Sequence, residues 1–336
     1  VVIERDVKFG AEPQEALSVG NNVLFVQSGK GTCRELSYDF DTDGYVANDL
    51  NLFTHHFGEQ NYNALAWTLE PDAIMWTYDD DGILRAMTYE KGQSILGWHK
   101  HIFTGESGTN SHAAVRSIAS LPSSDGKTDN LWLVIERKIG GVTHYFVEMM
   151  TQEDIAGTDP LKQVWSDSSV TYDGSATATI SGLSHLEGEE VFITAQGAVH
   201  PPKTVSGGTV TLDYTAEKVV VGLPYTSAAR TQDIEAGSQN GVSQGKKKRI
   251  HNIAFRVFNT RPGLQVSTTG INYTNVILRS TADSMDAAVA LFTGDTRSIS
   301  MLGDFNDGAH VWFKHDLPQA CTVVAVWPQV ETNDDK

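Results

Sequence analysis

Three aspartates at alternate positions, followed by a glycine, make the segment YDFDTDGYVANDL the most suggestive of metal chemistry. The residues are Asp39, Asp41, Asp43 and Gly44. A calcium loop of the EF-hand type places oxygen ligands at alternate positions, glycine sixth and a bidentate glutamate twelfth. Counted from Asp39, the twelfth residue is Leu50, which has no side-chain oxygen. We interpret the segment as an Asp/Gly turn between strands, and a different calcium site that uses Asp49 stays open as the minor alternative.

Other residues with catalytic or metal-binding chemistry form weaker patterns. His99 and His101 lie two residues apart, so on a strand both point to one side, a spacing that zinc can use. A glycosidase would need two carboxylates at a fixed separation, and nothing singles out a pair among Glu70, Asp72, Asp79, Asp80 and Asp81. No GxSxG, GxGxxG or P-loop motif is present. We therefore predict no catalytic residue, no cofactor and no metal, and a protein that is not an enzyme.

The charge balance limits the possible partners. The chain carries 42 acidic and 25 basic residues, a formal net charge of -17. Proteins that grip nucleic acid do so mainly through Lys and Arg on the phosphates, so this class is excluded, whereas a surface that DNA passes without sticking fits. The one basic cluster is Lys246, Lys247, Lys248 and Arg249. It follows a Gly/Ser/Gln stretch and predicts a solvated loop, with a contact to a neighbouring subunit preferred over a contact to DNA.

Length and composition indicate a soluble globular protein of about two domains. The chain has 336 residues, 40% of them hydrophobic, and no apolar run approaches the ~18 residues of a membrane span. Cys33 and Cys321 are far apart in sequence, which favours a reducing compartment over a disulfide framework. The start, VVIERDVKFG, lacks an initiating Met and resembles no signal peptide, so we expect a fragment or a processed product.

The first 150 residues consist of short strand-like runs separated by Gly and Asp turns. Four such runs lie between Asn63 and Phe103 and predict one blade of four antiparallel strands. Aligning Leu24, Met75 and Leu131 gives spacings of 51 and 56 residues, close to the period of propeller blades. Three blades do not close a propeller. We therefore expect further blades either before Val1 or in the C-terminal region.

The texture changes after Thr151, where residues 151–183 are rich in Ser, Thr, Asp and Gly and predict an exposed connection. We predict propeller-type blades over 1–150, an inserted small β domain over 151–235 and a β-rich segment over 236–336. The strand candidates of the small domain are EEVFITAQGAVH, GGTVTLDYT and KVVVGLPYTS, and DSMDAAVALF is the best helix candidate. The predicted fold class is all-β, a β-propeller-like domain of repeated antiparallel blades plus a smaller β-barrel or sandwich tip domain.

Several of these segments together resemble a known family. LFVQSGKGTCRELSYDFDTDGYVANDL, EPDAIMWTYDDDGILRAMTYE, GWHKH, LWLVIERKIGG, LEGEEVFITAQGAVH and VVVGLPYTS look like the tail nozzle proteins of short-tailed bacteriophages, also called tail tubular protein B. The resemblance extends from about Val23 to Pro328. The family's N-terminal platform region, which contacts the tail adaptor, is not recognised in this chain.

The resemblance implies a homo-hexameric ring in the virion tail that retains packaged double-stranded DNA and conducts it during ejection. It implies a tail adaptor protein and tail fibres as partners, assembly in the bacterial host cytoplasm, and no membrane insertion. Acids on a channel wall repel the DNA backbone, and we predict that the channel-facing acids lie in two turns. They are Asp79, Asp80, Asp81, Asp304 and Asp307.

A carbohydrate-binding adhesin or depolymerase acting on the host envelope is the alternative function. Exposed tryptophans often stack on sugars, and the candidates are Trp67, Trp76, Trp98 and Trp132. All four lie inside strand runs, where packing in the core explains them equally well. A scaffold for protein partners, which would lack a channel, is a third possibility.

Overall fold

The computed structural model describes residues 7–59, 61–108, 110–151, 159–235, 237–238, 241–284 and 287–333. Over these residues the regular structure is almost entirely antiparallel β-strand, which confirms the all-β prediction. The chain divides into two compact units, Val1–Glu153 and Asp154–Lys336. The first predicted domain boundary lies beside this division, and the second, between 235 and 236, falls within the second unit and stays a prediction.

The first unit contains three antiparallel sheets whose strands follow one another along the chain. Sheet one consists of β1 (Leu17–Val19), β2 (Asn22–Val26), β3 (Cys33–Asp39) and β4 (Gly44–Asp49). A four-residue helix, α1 (His55–Gly58), precedes sheet two, which consists of β5 (Leu65–Thr68), β6 (Ile74–Tyr78), β7 (Leu84–Glu90) and β8 (Ile95–His101), with a 3-10 turn at Lys91–Gln93. Sheet three has the order β11 (Val142–Met150), β10 (Asp129–Ile139), β9 (Ala114–Pro122). The four strands predicted between Asn63 and Phe103 are confirmed as sheet two.

Sheet two is covered on both faces. Met75 and Met87 are fully buried against Leu24 of sheet one. Their sequence neighbours point the other way, and Trp76 packs with Leu133 of sheet three. Because successive side chains of a strand alternate between faces, a sheet buried on both sides must be apolar at consecutive positions. The run IMWTY of β6 meets that requirement.

Gly82 lies where sheets two and three come into close contact. Its φ is +82°, and a Cβ added there would lie 2.4 Å from the Cβ of Ala114. The amide of Val115 donates a hydrogen bond of 2.8 Å to the Gly82 carbonyl. Only glycine supplies both the left-handed backbone and the missing side chain that this contact requires.

The second unit contains a four-stranded sheet and a β-sandwich. The four-stranded sheet has the order β12 (Asp167–Ser181), β15 (Thr209–Leu223), β13 (Glu190–Ala195), β14 (Ala198–Thr204), with a 3-10 turn at Ser184–Leu186. One sheet of the sandwich has the order β16 (Ser227–Arg230), β24 (Trp312–His315), β20 (Leu264–Ser267), β21 (Thr274–Asn275). In the other, β19 (Lys248–Thr260) pairs with β22 (Phe292–Asp295), β23 (Ile299–Ser300) and β25 (Thr322–Thr332). A separate two-stranded antiparallel sheet consists of β17 (Gly237–Ser238) and β18 (Gly241–Val242).

Apolar side chains fill the space between the two sheets of the sandwich. Phe255 of β19 is fully buried and meets Phe313 of β24 edge to face, with ring centroids 5.8 Å apart. Val257 and Val266 extend the same cluster. The apolar cluster between these two sheets is therefore the hydrophobic core of the sandwich.

The structure corrects three sequence predictions about this unit. The segment predicted as an exposed connection contains β12, a strand of 15 residues, because its Ser and Thr side chains alternate along a ladder with β15; residues 152–158 lie outside the described part. GGTVTLDYT and KVVVGL are not two strands but the single strand β15. The helix candidate DSMDAAVALF has no helix at its described positions, since residues 285 and 286 lie outside them and Phe292 begins β22.

Candidate functional site

The aspartates of the calcium-like segment serve the β3–β4 hairpin itself. Asp39 accepts hydrogen bonds from the Asp41 amide (3.1 Å) and from the Thr42 hydroxyl (3.0 Å). Asp43 has a φ of +48° and accepts a hydrogen bond from the Tyr38 hydroxyl, which raises the pKa of Tyr38. Among the described residues no group of three or more His, Cys, Asp or Glu side chains could hold a metal ion. Residues 40–43 form the turn between β3 and β4, as the main interpretation of the sequence predicts.

Asp79 does not belong to any channel-facing surface. Its side chain is fully buried and accepts hydrogen bonds from Arg85 Nε (2.9 Å), Arg85 Nη2 (2.6 Å) and the Ile83 amide (2.8 Å). Asp79 begins the turn between β6 and β7, and Arg85 lies near the start of β7. The ion pair therefore fixes this hairpin from the inside, and the prediction that Asp79 faces a channel is wrong.

The next residue, Asp80, is exposed. Its two carboxylate oxygens accept hydrogen bonds from Asn63 (3.0 Å) and Asn61 (2.5 Å), and these bonds lower the pKa of the carboxyl group. Asp81 is half-buried, and its carbonyl accepts a hydrogen bond from Asn110 (3.1 Å). Of the three acids in this turn, Asp80 is the most exposed.

The acidic turn at 304–307 and the basic run at 246–249 lie side by side. Lys248 and Asn306 exchange two backbone hydrogen bonds, of 2.7 and 2.9 Å. Asp304 and Asp307 are exposed in this turn. The Arg249 guanidinium lies 5.3 Å from the Phe305 ring centroid. The sequence analysis assigned the acidic turn to a channel wall and the basic run to a subunit contact. In the structure the two segments form one surface of mixed charge.

The basic run is not a uniform solvated loop. Lys246 and Lys247 lie in a turn, whereas Lys248 and Arg249 begin β19. The Lys248 side chain is 1% exposed and donates a hydrogen bond of 2.8 Å to Glu235. Lys248 is therefore unsuitable for a subunit contact, while Lys247 remains exposed.

His99 and His101 form a compact group with Trp76. The two imidazole centroids are 5.1 Å apart, and the Trp76 ring lies 5.6 Å from that of His101. Burial lowers the pKa of His101 to about 4, with a smaller contribution from His99, and burial also lowers the pKa of His99. His101 Nε2 has no hydrogen-bond partner among the described residues. The pair is a neutral part of the interface between sheets two and three.

Three of the four tryptophans suggested as sugar-stacking groups pack in or against the apolar clusters of the first unit. Trp76 is buried, Trp67 meets Tyr89 edge to face, and Trp98 stacks on Tyr62. Trp132 is half-buried and lies opposite Met149 on sheet three. An aromatic pair that sequence reasoning missed is more exposed: Tyr38 and Tyr45 are each 50% exposed and meet edge to face at 5.6 Å. The sequence did contain a sign of this pair, because Tyr38 and Tyr45 flank the predicted Asp/Gly turn.

Each of the buried carboxylates in the described part of the chain has a cationic partner. Glu35 pairs with Lys91, Asp79 with Arg85 (2.6 Å) and Glu136 with Arg116 (2.9 Å). None of these acids is left to act as a general acid or nucleophile without first breaking an ion pair. The excess acidic charge therefore lies on the surface.

No family model and no curated protein matches the chain. A solved structure similar to it is an exo-β-1,3-galactanase from Phanerochaete chrysosporium with β-1,3-galactotriose; the two are 10% identical, 95% of this chain and 96% of that chain are covered, and the TM-score is 0.25. The prediction that the protein is not an enzyme is corrected at this point, because a glycoside hydrolase is among the structures that it matches. The TM-score is too low to carry an argument about any particular activity.

Proposed function

We propose that the protein is a structural subunit of the tail of a short-tailed bacteriophage, a ring-forming nozzle that retains double-stranded DNA and conducts it during ejection. The observation that supports the proposal most is the placement of charge. The buried acids are neutralised by ion pairs, whereas Asp80, Asp304 and Asp307 are exposed in turns. A ring that presents such acids to its channel repels the phosphate backbone and lets DNA slide.

The first test is DNA binding by the purified protein at about 10 mM salt, where the Debye length is about 30 Å. We expect no association with a fluorescein-labelled duplex at ~100 µM protein, because non-specific DNA-binding proteins already associate in the range of about 1–100 µM at physiological salt. Particle images of the protein are expected to contain sixfold rings with a pore that admits one duplex. Tight DNA binding, or a monomer at every concentration, contradicts the proposal.

Charge reversal tests the three exposed acids together. The triple variant Asp80→Lys, Asp304→Lys, Asp307→Lys is expected to bind the duplex with a steep salt dependence, since each subunit of a ring adds its cations to the same channel. The matched control reverses three exposed acids elsewhere, Asp41, Asp125 and Glu217. Equal DNA binding by the two variants would show that Asp80, Asp304 and Asp307 do not face the channel.

Carbohydrate binding is a second candidate, favoured by the exposed pair Tyr38 and Tyr45. Two aromatic faces beside a carboxylate suit the stacking and hydrogen bonding that sugars require, and Asp43 lies within hydrogen-bond reach of Tyr38. With β-1,3-galactotriose as the probe, we expect saturable binding that falls at least ~10-fold in Tyr38→Ala and is unchanged in Tyr145→Ala, an exposed tyrosine of sheet three. Sugar release assayed in the same samples reports catalysis, and the absence of saturation at ~10 mM sugar excludes this candidate.

A further inference from the structure

The sandwich of the second unit has an apolar cleft at one of its open sides. Its volume is about 170 Å³. Its lining includes Ala228, Ala229, Leu264, Phe313, Cys321 and Val323. A cavity of about 150 Å³ holds a benzene molecule, so this cleft has room for one large apolar side chain.

The strand beside the cleft is an unpaired edge. β16 is the outermost strand of its sheet, and all four of its residues are exposed. Its partner on the inner side is β24, with Ala229 opposite Phe313. In the part of the chain that the structure describes, no strand pairs with the outer side of β16. An edge of this kind is a template for a further strand.

The register of β16 shows which of its backbone groups point outward. The Thr231 amide donates a hydrogen bond of 3.0 Å to the Val311 carbonyl. Since bonded pairs alternate along an antiparallel ladder, the backbone groups of Ala229 face β24 and those of Ala228 and Arg230 face the open edge. The Ala229 side chain shares a sheet face with the Phe313 side chain, which lines the cleft. A strand added at this edge would therefore place the side chain opposite Ala229 over the cleft.

Arg230 gives the edge a positive charge. Its guanidinium lies 5.1 Å from the Trp312 ring centroid, and none of the ion pairs among the described residues involves it. Lys314, on the same sheet face, is already paired with Asp316 at 2.9 Å. Because neighbouring side chains of a strand point to opposite faces, a residue opposite Arg230 would lie on this positive face, next in sequence to the one over the cleft.

We propose that β16 binds an extended segment of a partner protein by strand addition, with an apolar side chain in the cleft and an adjacent acidic side chain against Arg230. Backbone hydrogen bonds to Ala228 and Arg230 supply the affinity, and the cleft and the guanidinium supply the selectivity. The recognised pattern is a large apolar residue next to Asp or Glu in a segment that favours β structure. This inference does not depend on the proposed function.

The binding experiment uses the full chain and two labelled hexapeptides, Thr-Thr-Phe-Glu-Thr-Thr and Thr-Thr-Glu-Phe-Thr-Thr. Fluorescence anisotropy is expected to give a dissociation constant on the order of 100 µM for one of them, and the preferred order reports the direction of the added strand. Thr-Thr-Ala-Lys-Thr-Thr is expected to bind at least ~10-fold more weakly. No binding of either Phe/Glu peptide at ~1 mM overturns the proposal.

Ala228→Pro tests strand addition itself. Proline removes an amide that points outward, so no bond of the native ladder is lost. We expect peptide binding to disappear while the melting temperature changes by a few degrees at most, and the matched variant Ala228→Val to bind as the wild type does. Arg230→Glu is expected to reverse the preference in favour of a Phe/Lys peptide. Unchanged peptide binding in folded Ala228→Pro overturns the assignment.

The cysteines report occupancy of the cleft. Cys33 is fully buried and burial raises its pKa to about 12, which makes its thiol unreactive. Alkylation by iodoacetamide is therefore expected at Cys321, and bound peptide should slow it at least ~5-fold. If the protein instead forms a dimer that Ala228→Pro converts to a monomer, and peptide leaves the alkylation rate unchanged, a second copy occupies the edge and the proposal is overturned.

Discussion

The variant Asp79→Asn is expected to lose about 3–5 kcal/mol of unfolding free energy in the first unit. Asparagine has nearly the shape of aspartate, but it removes the carboxylate charge that pairs with the Arg85 guanidinium, at a position where Arg85 is 6% exposed. For a unit of this size the change corresponds to a fall of roughly 6–20 °C in melting temperature. Thermal unfolding followed by circular dichroism, together with urea titration, measures it.

Two further variants isolate the buried charge as the cause. Asp80→Asn alters the neighbouring exposed residue and is expected to change stability by no more than about 0.5 kcal/mol. Adding Arg85→Met to Asp79→Asn removes the guanidinium charge as well and is expected to recover most of the loss, because the largest cost of breaking a buried ion pair comes from the charge that is left behind. Equal stability of Asp79→Asn and Asp80→Asn would show that this ion pair does not support the hairpin.

Acidification is expected to destabilise the wild type more than His101→Leu, by about 2 kcal/mol between pH 7 and pH 5. The pKa of His101 is about 4 in the folded chain, against about 6.5 for an unperturbed histidine. Between these values the unfolded chain binds a proton that the folded chain does not, so stability falls as the pH falls through this window. Leucine has no proton to bind, and the difference between the two proteins should therefore grow towards pH 5.

The histidine prediction is checked by urea unfolding at several pH values. His144→Leu is the matched control, since His144 is exposed on β11, and it is expected to keep the pH dependence of the wild type. His99, whose pKa burial also lowers, adds a smaller contribution that the variant His99→Leu measures separately. Parallel stability curves for the wild type and His101→Leu would mean that water reaches the imidazole of His101.

The repeat was readable from the sequence because burial imposes it. Leu24, Met75 and Leu131, the residues that define the spacing, lie on β2, β6 and β10 and are 0%, 0% and 3% exposed. Each sheet must place an apolar side chain at the same point of its second or central strand to meet its neighbour. Hydrophobic positions and turn residues therefore carry enough information to find the three sheets.

The sequence did not show which of two neighbouring polar residues is buried. Asp79 and Asp80 are adjacent and chemically identical, yet one is buried against Arg85 and the other is exposed. Lys247 and Lys248 divide likewise, because the buried one faces Glu235. Which acid or base turns inward depends on the hairpin register and on a partner of opposite charge across it. The edge of β16 and its cleft depend on strand order, which local sequence patterns do not contain.

Sheet two, covered on both faces, also limits how such a chain can change in length. An insertion of a single residue within β6 or β7 would move the following side chains to the opposite face of the sheet. The side chains that now pack on sheet one would then face sheet three, and the reverse. Short insertions are expected instead in the turns, and larger additions as whole sheets. Related chains of different size are therefore expected to differ in steps of one sheet, about 50 residues each.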